Sequence, residues 1–584
     1  MAADWTFVRT RSAEVARRLF DDFDQKRRGL LTEVAREFCP LAVPGLARSV
    51  EELADETPYD EGHRMLTTKP MDCLRKGAAG FHGNLTSPAR RWFRLRMPSF
   101  GAATRGEEQG AGTETDRALE RLTDAVEWTF HRGGVYPQLY KLYEHALCFG
   151  FGCMLVTGDP RRVVKARTLR VGTYAMGVDE DGLVCRVARK FSWTAEQIMR
   201  EFTSASVPER VKEAADRGDS KRRWTVWNLV EPNGCGDLRA YDRVAREIGL
   251  SDDMVYRSVY WLEEARSDDP SGGVLGCSGF TVKPIVAPRM DAELGDVYGR
   301  GRGMDGLDLA RGVQSFEYDI LKISGQRAQP AVVASSEFKD AGLKLGRGQV
   351  NYCRFGEQRG AMVYPALAQA PDSTSTRQDR IDAENELADL FFNTAFATID
   401  ALKNNSGVKT ATEVDALVRE NMERLNPVVT NLDHELLDPL VTVVTHYALQ
   451  AGVCPMEDAD VDALGAVDVE YVSQIHLASR QTQMGGVTSW IQFVGGLSQM
   501  KPAVGDLLDE DGAARAYAEM LGVPAPCVAT RKMVEQRRAE RAQMQKMQME
   551  NAQLQQLGAA AKLGAMPTDE GHAGGLLARG LGAG

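Results

Sequence analysis

The strongest constraint in this sequence lies between residues 299 and 414, where two long helix-forming stretches flank a short module of apolar runs and glycine turns. In the first stretch, residues 305–326, Leu309, Val313, Phe316, Ile320 and Ile323 recur at steps of 4, 3, 4 and 3, which puts them on one side of a helix. In the second, residues 376–402, Ala388, Phe392, Ala395, Ile399 and Leu402 repeat those steps, and Thr376 with Asp379 makes a capping box at its start. Each arm would extend on the order of 33–40 Å, longer than an average globular helix, so both need something large to pack on. Their other faces carry Asp305, Asp308, Glu317, Asp319, Asp379, Asp382, Glu384, Glu386 and Asp389. Faces so acidic do not suit a tightly held polyanion. Periodicity alone is equally satisfied by an ordinary antiparallel helix pair in a core.

At 584 residues the chain is expected to form several units, about three to five, each able to bury a core. The net charge of −11 argues against a DNA-gripping surface over the whole protein, although a local basic loop would not register in that sum. Ten cysteines are scattered with no CxxC pair and no secretory leader, so they read as reduced, mostly buried thiols, with no metal site expected. The most apolar stretch, about 146–156, is shorter than a membrane span, and a soluble protein is expected.

Read in order, residues 12–38 predict a charged amphipathic helix, and a second is expected at about 62–83, followed by a strand from Trp92. The small, polar segment 99–116 reads as a loop. Helices at 117–131 and 134–148 lead to strands at 149–159, 168–178 and 183–192, then to a short capped helix at 192–202 and a charged one near 207–217. Four strand-like runs follow, at 223–230, 255–263, 276–282 and 284–289. Seven of the eight tryptophans lie at or before Trp261, so the first half reads as an aromatic-rich α+β body that the arms leave. Beyond the arms comes one helical tract broken or kinked at Pro427 and Pro439, then helices at 472–500 and 510–521. Residues 530–563 predict a long helix with a Met/Gln surface and poor heptads, and the last twenty residues read as disordered.

Few motifs carry chemistry. Gly301, Gly303 and Gly306 match GxGxxG ahead of a helix, but no clean strand precedes them and the downstream acids lie in the same helix, so a hinge opening the arm is favoured over a pyrophosphate cradle. No GxxxxGK[ST] or GxSxG occurs, and His434–Glu435 is followed by Asp438 where a zincin needs histidine. No catalytic residue, metal or cofactor is expected. The polar loop Lys403, Asn404, Asn405, Ser406 and Lys409 has the point charges and amides that make weak, sequence-independent phosphate contacts.

The chain resembles the head-to-tail connector, or portal, proteins of short-tailed bacteriophages. The resemblance rests on RRGLLTEVAREFCP (27–40), the stretch 55–95 with LTSP followed by WF, YEHALCFGFGCMLV (143–156), FSWTAEQI (191–198), and KPIVAPRMDAELGDVYGRGRGMDGLDLARGVQ (283–314). It continues through GQRAQP (325–330), KTATEV (409–414), ELLDPLV (435–441) and YVSQIHLAS (471–479). It spans roughly 27–490, and departs from the commoner YGRSP at YGRGR.

The resemblance implies a mainly helical α+β portal fold: wing 1–298, first stem helix 299–326, clip 327–372, second stem helix 373–400, tunnel loop 401–409, wing helix 410–426, crown 427–529, C-terminal barrel helix 530–563 and a disordered tail 564–584. It implies a closed ring of about twelve copies at one capsid vertex, each arm packing on its neighbour through Leu309, Val313, Phe316, Ile320, Ile323, Phe392 and Ile399. Asp305, Asp308, Glu317, Asp319, Asp382, Glu386 and Asp389 would line the channel. Lys403 to Lys409 would touch double-stranded DNA non-specifically, and Lys344, Arg347 and Arg354 of the clip would dock the motor or tail. Implied partners are further copies of the chain, DNA, the large terminase, major capsid and scaffolding proteins, and tail adaptor or tail tube proteins, with no membrane. The implied place is the virion, reached through the host cytoplasm during assembly. Two alternatives are another structural virion protein such as a tail adaptor, and a nucleotide-dependent enzyme using the Gly301–Gly306 turn.

Overall fold

The computed structural model describes residues 4–46, 65–96, 114–219, 221–234, 243–251, 253–266, 269–293, 295–328, 332–334, 363–365, 372–403, 411–453, 468–477, 490–497, 511–514, 529 and 531–564. The chain divides into two units: residues 1–94, 123–455 and 471–483 form the first, and residues 95–122, 456–470 and 484–584 the second.

In the first unit, helix Trp5–Phe23 passes through a π-helical turn, Asp24–Arg28, into helix Gly29–Phe38. Helix Lys69–Leu85 precedes strand β1, Phe93–Arg96, and helices Glu114–Arg132 and Val135–Phe149 follow. Strands β2 (Met154–Asp159) and β3 (Val163–Thr168) form a hairpin, and β9 (Ile285–Val286) pairs with the other edge of β2. The main sheet is an antiparallel meander in the order β4 (Tyr174–Val178), β5 (Val184–Thr194), β6 (Arg223–Pro232), β7 (Tyr256–Leu262) and β8 (Val274–Phe280). The predicted strand 168–178 is β4 preceded by a turn in which Gly172 has φ +90°, and β3, over Val163–Thr168, was not predicted beyond its last residue. The short helix Arg243–Ile248 was not legible in the sequence.

Each face of the meander buries a different cluster. On one, Trp224, Val226, Leu262 and Leu275 pack with Ala195, Ile198, Val207, Val211 and Ala214. Helix Ala195–Glu201 in that cluster starts at the expected cap: Thr194 and Gln197 exchange side-chain and backbone hydrogen bonds. On the other, Phe20 stands edge-on to Trp227, which stacks on Trp261 at 6.1 Å. The aromatic-rich body is thus a sheet wedged between helices, stabilised chiefly by removal of these rings from water.

The first arm is helical as expected, over Leu307–Ala328, preceded by one turn at Arg302–Asp305. The second departs from expectation. It is two helices, Thr374–Leu390 and Asn393–Lys403, interrupted at Phe391 and Phe392. Its start also differs: the Asp372 carboxylate, rather than a Thr376–Asp379 box, accepts from Thr374, at 2.9 Å from the hydroxyl and 3.3 Å from the N–H. That hydroxyl, together with Arg327 from the end of the first arm at 3.0 Å, holds the Asp372 carboxyl below its usual range. Between the arms, Val332–Ala334 pairs antiparallel with Val363–Pro365. This agrees with a small sheet at the hairpin tip; Lys344, Arg347 and Arg354 lie outside the described residues.

After the second arm, helix Ala411–Leu432 continues unbroken through Pro427, a π-helical turn follows at Asp433–Leu437, and Pro439 sits in the first turn of helix Asp438–Gln450. The helix is therefore not interrupted at Pro427, and the π-helical irregularity falls six residues later, at Asp433. The helix also crosses residue 427, where the resemblance sets the start of the crown.

In the second unit, the predicted C-terminal helix is present over Arg531–Gly564, and Arg538 pairs with Asp511 at 2.6 Å. Helix 490–497 buries Val494 and leaves Trp490 and Phe493 exposed. Much of the predicted 472–500 and 510–521 helices, and the tail after 564, lies outside the described residues. Among the described residues no helix is long and apolar enough to cross a membrane.

Candidate functional site

The hairpin is held at its base by close backbone approach. A Cβ on Gly301 would stand 2.6 Å from the Cys148 carbonyl oxygen, and one on Gly303 would stand 2.5 Å from it. The glycines of the GxGxxG match therefore let residues 299–303 lie against the end of helix Val135–Phe149, whose C-cap Gly150 has φ +82°. The helix they open is four residues long, and the space a pyrophosphate would need is filled by the chain itself. At this turn the glycines serve close packing of the arm's root against helix Val135–Phe149.

Polar ties complete the base. The Gln314 amide oxygen accepts from the N–H groups of Leu66 and Thr67 at 2.9 and 3.1 Å, and its nitrogen donates to the Thr67 carbonyl. Arg311 pairs with Glu33 at 2.9 Å. On the approach to the first arm, Arg289 is clamped by Glu435 of the π-helical turn, with its own N–H donating to that carboxylate at 2.8 Å. One part-buried ion pair thus joins the segment entering the hairpin to the π-helical turn beyond it.

The break in the second arm sits in an aromatic socket. Phe392 has φ +62°, a left-handed conformation that costs a bulky residue strain of roughly 1–3 kcal/mol. Packing over-determines it. Phe81 meets Phe392 edge-on at 5.8 Å and Phe396 at 5.0 Å, Phe38 tilts against Phe391 at 5.3 Å, and the Arg302 guanidinium lies 5.5 Å from the Phe392 centroid. Gly77 and Gly80 give helix Lys69–Leu85 the bare face this requires: a Cβ on Gly77 would meet the Phe391 carbonyl oxygen at 2.6 Å, and one on Gly80 would enter the Phe396 ring. Asn393 donates to the Cys73 carbonyl at 3.1 Å. A period-3.6 reading cannot see such a break, because Phe391 and Phe392 are both good apolar positions; the GAAG spacing was the available signal.

The predicted packing stripe is divided. Val313 and Ile320 are buried, together with Leu307 and Ala310, whereas Leu309, Phe316 and Ile323 are half-buried. Phe392 is in the socket, and the side chain of Ile399 lies outside the described residues. Tyr318 (56% exposed), Leu321 (53%) and Ile381 (42%) carry the apolar surface the hairpin leaves open, which the stripe had not anticipated.

The acidic set is divided too. Glu317 faces Arg380 of the other arm rather than open solvent, and Arg380 also reaches Glu384 at 3.4 Å. Asp305 pairs with Arg300 and, at 3.6 Å, with Arg302. Asp389 accepts from the Thr394 hydroxyl across the break, and Asp382 accepts from Gln378. Asp308 is exposed and 3.9 Å from Arg311, while Asp319 and Glu386 are exposed with no ion pair among the described residues. Lys403 ends the second arm; its side chain, and all of Asn404, Asn405, Ser406 and Lys409, lie outside the described residues.

One cluster imitates a catalytic triad. Ser473 Oγ lies 2.6 Å from His476 Nδ1, and His476 Nε2 lies 2.9 Å from Asp433 Oδ2. Ser473 is buried and its Oγ also accepts from the His476 N–H, which makes it a helix cap; Tyr471, stacked on His476, donates to Asp438. The cluster staples the π-helical turn and offers no exposed nucleophile.

The chain is 27% identical over 503 residues to a protein named "Probable portal protein" of Bordetella phage BPP-1, covering 86% of each chain. It is also 27% identical over 496 residues to the "Portal protein" of Salmonella phage epsilon15, covering 84% of each. Among solved structures, it matches a chain in the virion of a native gene transfer agent particle at 11% identity and a TM-score of 0.32, covering 79% of this chain and 94% of that one, a score too low to establish a shared arrangement. The family of bacteriophage head to tail connecting proteins matches over residues 13–528, which takes in the body, both arms and the π-helical turn. The chain is a member of that bacteriophage head to tail connecting protein family.

Proposed function

We propose that this protein is a phage portal: copies close into a ring at one capsid vertex, and DNA is packaged and ejected through its channel. The observation that carries this reading is the family match over residues 13–528, supported by two relatives named as portal proteins across more than four-fifths of the chain. The shape of the hairpin suits it. A base locked to the body and an upper part with exposed Tyr318, Leu321 and Ile381 is what a subunit needs if its arms are to pack on neighbours in a head-to-tail ring.

In this reading the neighbour meets Tyr318, Leu321 and Ile381 together with the half-buried Leu309, Phe316 and Ile323. The exposed carboxylates Asp308, Asp319, Asp382 and Glu386 keep the channel repulsive to duplex phosphates, so that DNA slides. Lys403 and Lys409 with Asn404, Asn405 and Ser406 give a weak, salt-sensitive hold. The residues between the arms, with Lys344, Arg347 and Arg354, dock the large terminase and later the tail adaptor or tail tube. Capsid and scaffolding proteins meet the body.

Mass measurement and negative-stain imaging of the purified protein test the ring. Annular particles with a central hole, at about twelve times the 64.2 kDa chain mass, are expected. Monomers or dimers that persist when scaffolding and capsid proteins are co-expressed would sink the portal reading. Within a working phage, Lys403→Ala with Lys409→Ala should leave rings intact and lower packaged DNA length or retention; unchanged DNA content removes those lysines from the channel.

A further inference from the structure

The β-hairpin of β2 and β3 is basic in an acidic chain. Residues 154–168 carry Arg161, Arg162, Lys165 and Arg167 against a single carboxylate, Asp159, while the whole chain has a net charge of −11. That carboxylate is folded onto the turn itself, where it accepts from the N–H groups of Arg161 and Arg162 at 2.8 and 2.9 Å. The side chains of Arg161 and Arg162 are exposed and make no ion pair among the described residues.

The turn is also held at a cost. Val163, which closes it, has φ +70°, a left-handed conformation that strains a β-branched residue and that glycine would adopt freely. Such strain persists where the surroundings over-determine the backbone, and it gathers at ligand-contacting sites. Here the surroundings are the end of helix Glu114–Arg132. Arg132 donates to the Arg161 carbonyl at 3.1 Å, and Gly133 makes room for Val164, whose side chain would stand 2.5 Å from a Cβ there.

The same helix end presents an aromatic ring. Trp128 is 47% exposed, and the Arg132 guanidinium lies over it, 5.1 Å from the centroid. Arg132 thus touches both the indole and the turn that carries Arg161 and Arg162. The acids one turn earlier on the helix are engaged: Arg91 pairs with Asp124 and, at 3.4 Å, with Glu127.

Exposed arginines alone would suit any polyanion, an acidic peptide included. The indole decides between them. A duplex keeps its bases stacked on one another and an acidic peptide has none, whereas an unpaired base stacks on an exposed aromatic ring whatever its identity. We propose that the surface formed by Trp128, Arg132, Arg161 and Arg162 binds single-stranded nucleic acid. The guanidinium groups hold phosphates and the indole takes one base. This contact lies on the body, outside the two arms, and stands whether or not copies of the chain form a ring.

Fluorescence anisotropy of a labelled oligothymidylate of about 20 nucleotides tests it, titrated with the full chain carrying Lys403→Ala and Lys409→Ala so that the loop after the second arm does not contribute. Saturable binding is expected, its logarithm falling against that of the salt concentration with a slope of about −2, as for three phosphates met by three guanidinium groups. Arg161→Ala with Arg162→Ala should weaken binding roughly tenfold or more and bring the slope to about −0.7. Trp128→Ala should weaken it roughly tenfold with the slope unchanged, and Trp128→Phe should retain part of the affinity. All three side chains are exposed, so these variants should melt with the parent. Absence of binding, or undiminished binding in either the double arginine variant or Trp128→Ala, overturns the site. So does a duplex of equal length that binds as tightly as the single strand, or polyglutamate that competes as well as the oligonucleotide.

Discussion

The lower and upper halves of the hairpin are built from the same kind of sequence and meet opposite fates. Near the base, Gly301, Gly303, Ala310, Val313, Leu387, Phe391 and Phe396 are buried within one protomer, and even a strained Phe392 is tolerated because rings surround it. Toward the tip, Tyr318, Leu321 and Ile381 are exposed, and residues 324–328 and 377–379 are exposed as well. A helix's own apolar period therefore does not say who covers it. The base is specified by the chain's own packing, and the upper arm keeps its apolar side chains exposed.

The comparison breaks most visibly at the socket. Phe391→Ala removes a fully buried ring and should cost about 3–5 kcal/mol, read as a lower denaturant midpoint with an unchanged slope. A cost below about 1 kcal/mol would mean the break is not held by the socket.

The body beneath carries a pH dependence of similar size. Burial pushes the His145 imidazole down to about 4, and His82 and His446 are also lowered chiefly by burial. Between pH 6.5 and 4 the unfolded chain binds a proton that native His145 does not. Its contribution to stability is therefore full above pH 6.5 and is lost as pH falls through that window, by about 3 kcal/mol. His145→Gln should flatten the acid limb of a stability–pH curve; an unchanged limb would place the titration elsewhere.

Gly301→Ala forces a methyl against the Cys148 carbonyl oxygen, and a loss of about 2–3 kcal/mol is expected. Little or no loss would show that the arm can slide at its root.

The smallest effect is the most telling for the upper half. Tyr318→Ser with Leu321→Ser should move the stability of an isolated protomer by no more than about 0.5 kcal/mol per site. The same pair should sharply reduce ring yield by mass measurement. Equal ring yield would detach the open apolar patch from assembly.

Sequence alone determined the first helical arm, the strand pair between the arms, the capped helix at Thr194 and the glycine turn that opens the first arm. Each of these is a local matter of period, capping chemistry or missing Cβ atoms. The tertiary structure decided the rest. It broke the second arm at Phe391–Phe392, because Gly77 and Gly80 on a distant helix open a socket that rewards left-handed backbone there. It turned Glu317 to Arg380 of the other arm, buried Val313 and Ile320 of the stripe while leaving Tyr318 and Leu321 open, and joined Arg289 to Glu435 across 146 residues. None of these follows from spacing along the chain, because each depends on which surface a residue meets once distant segments have packed.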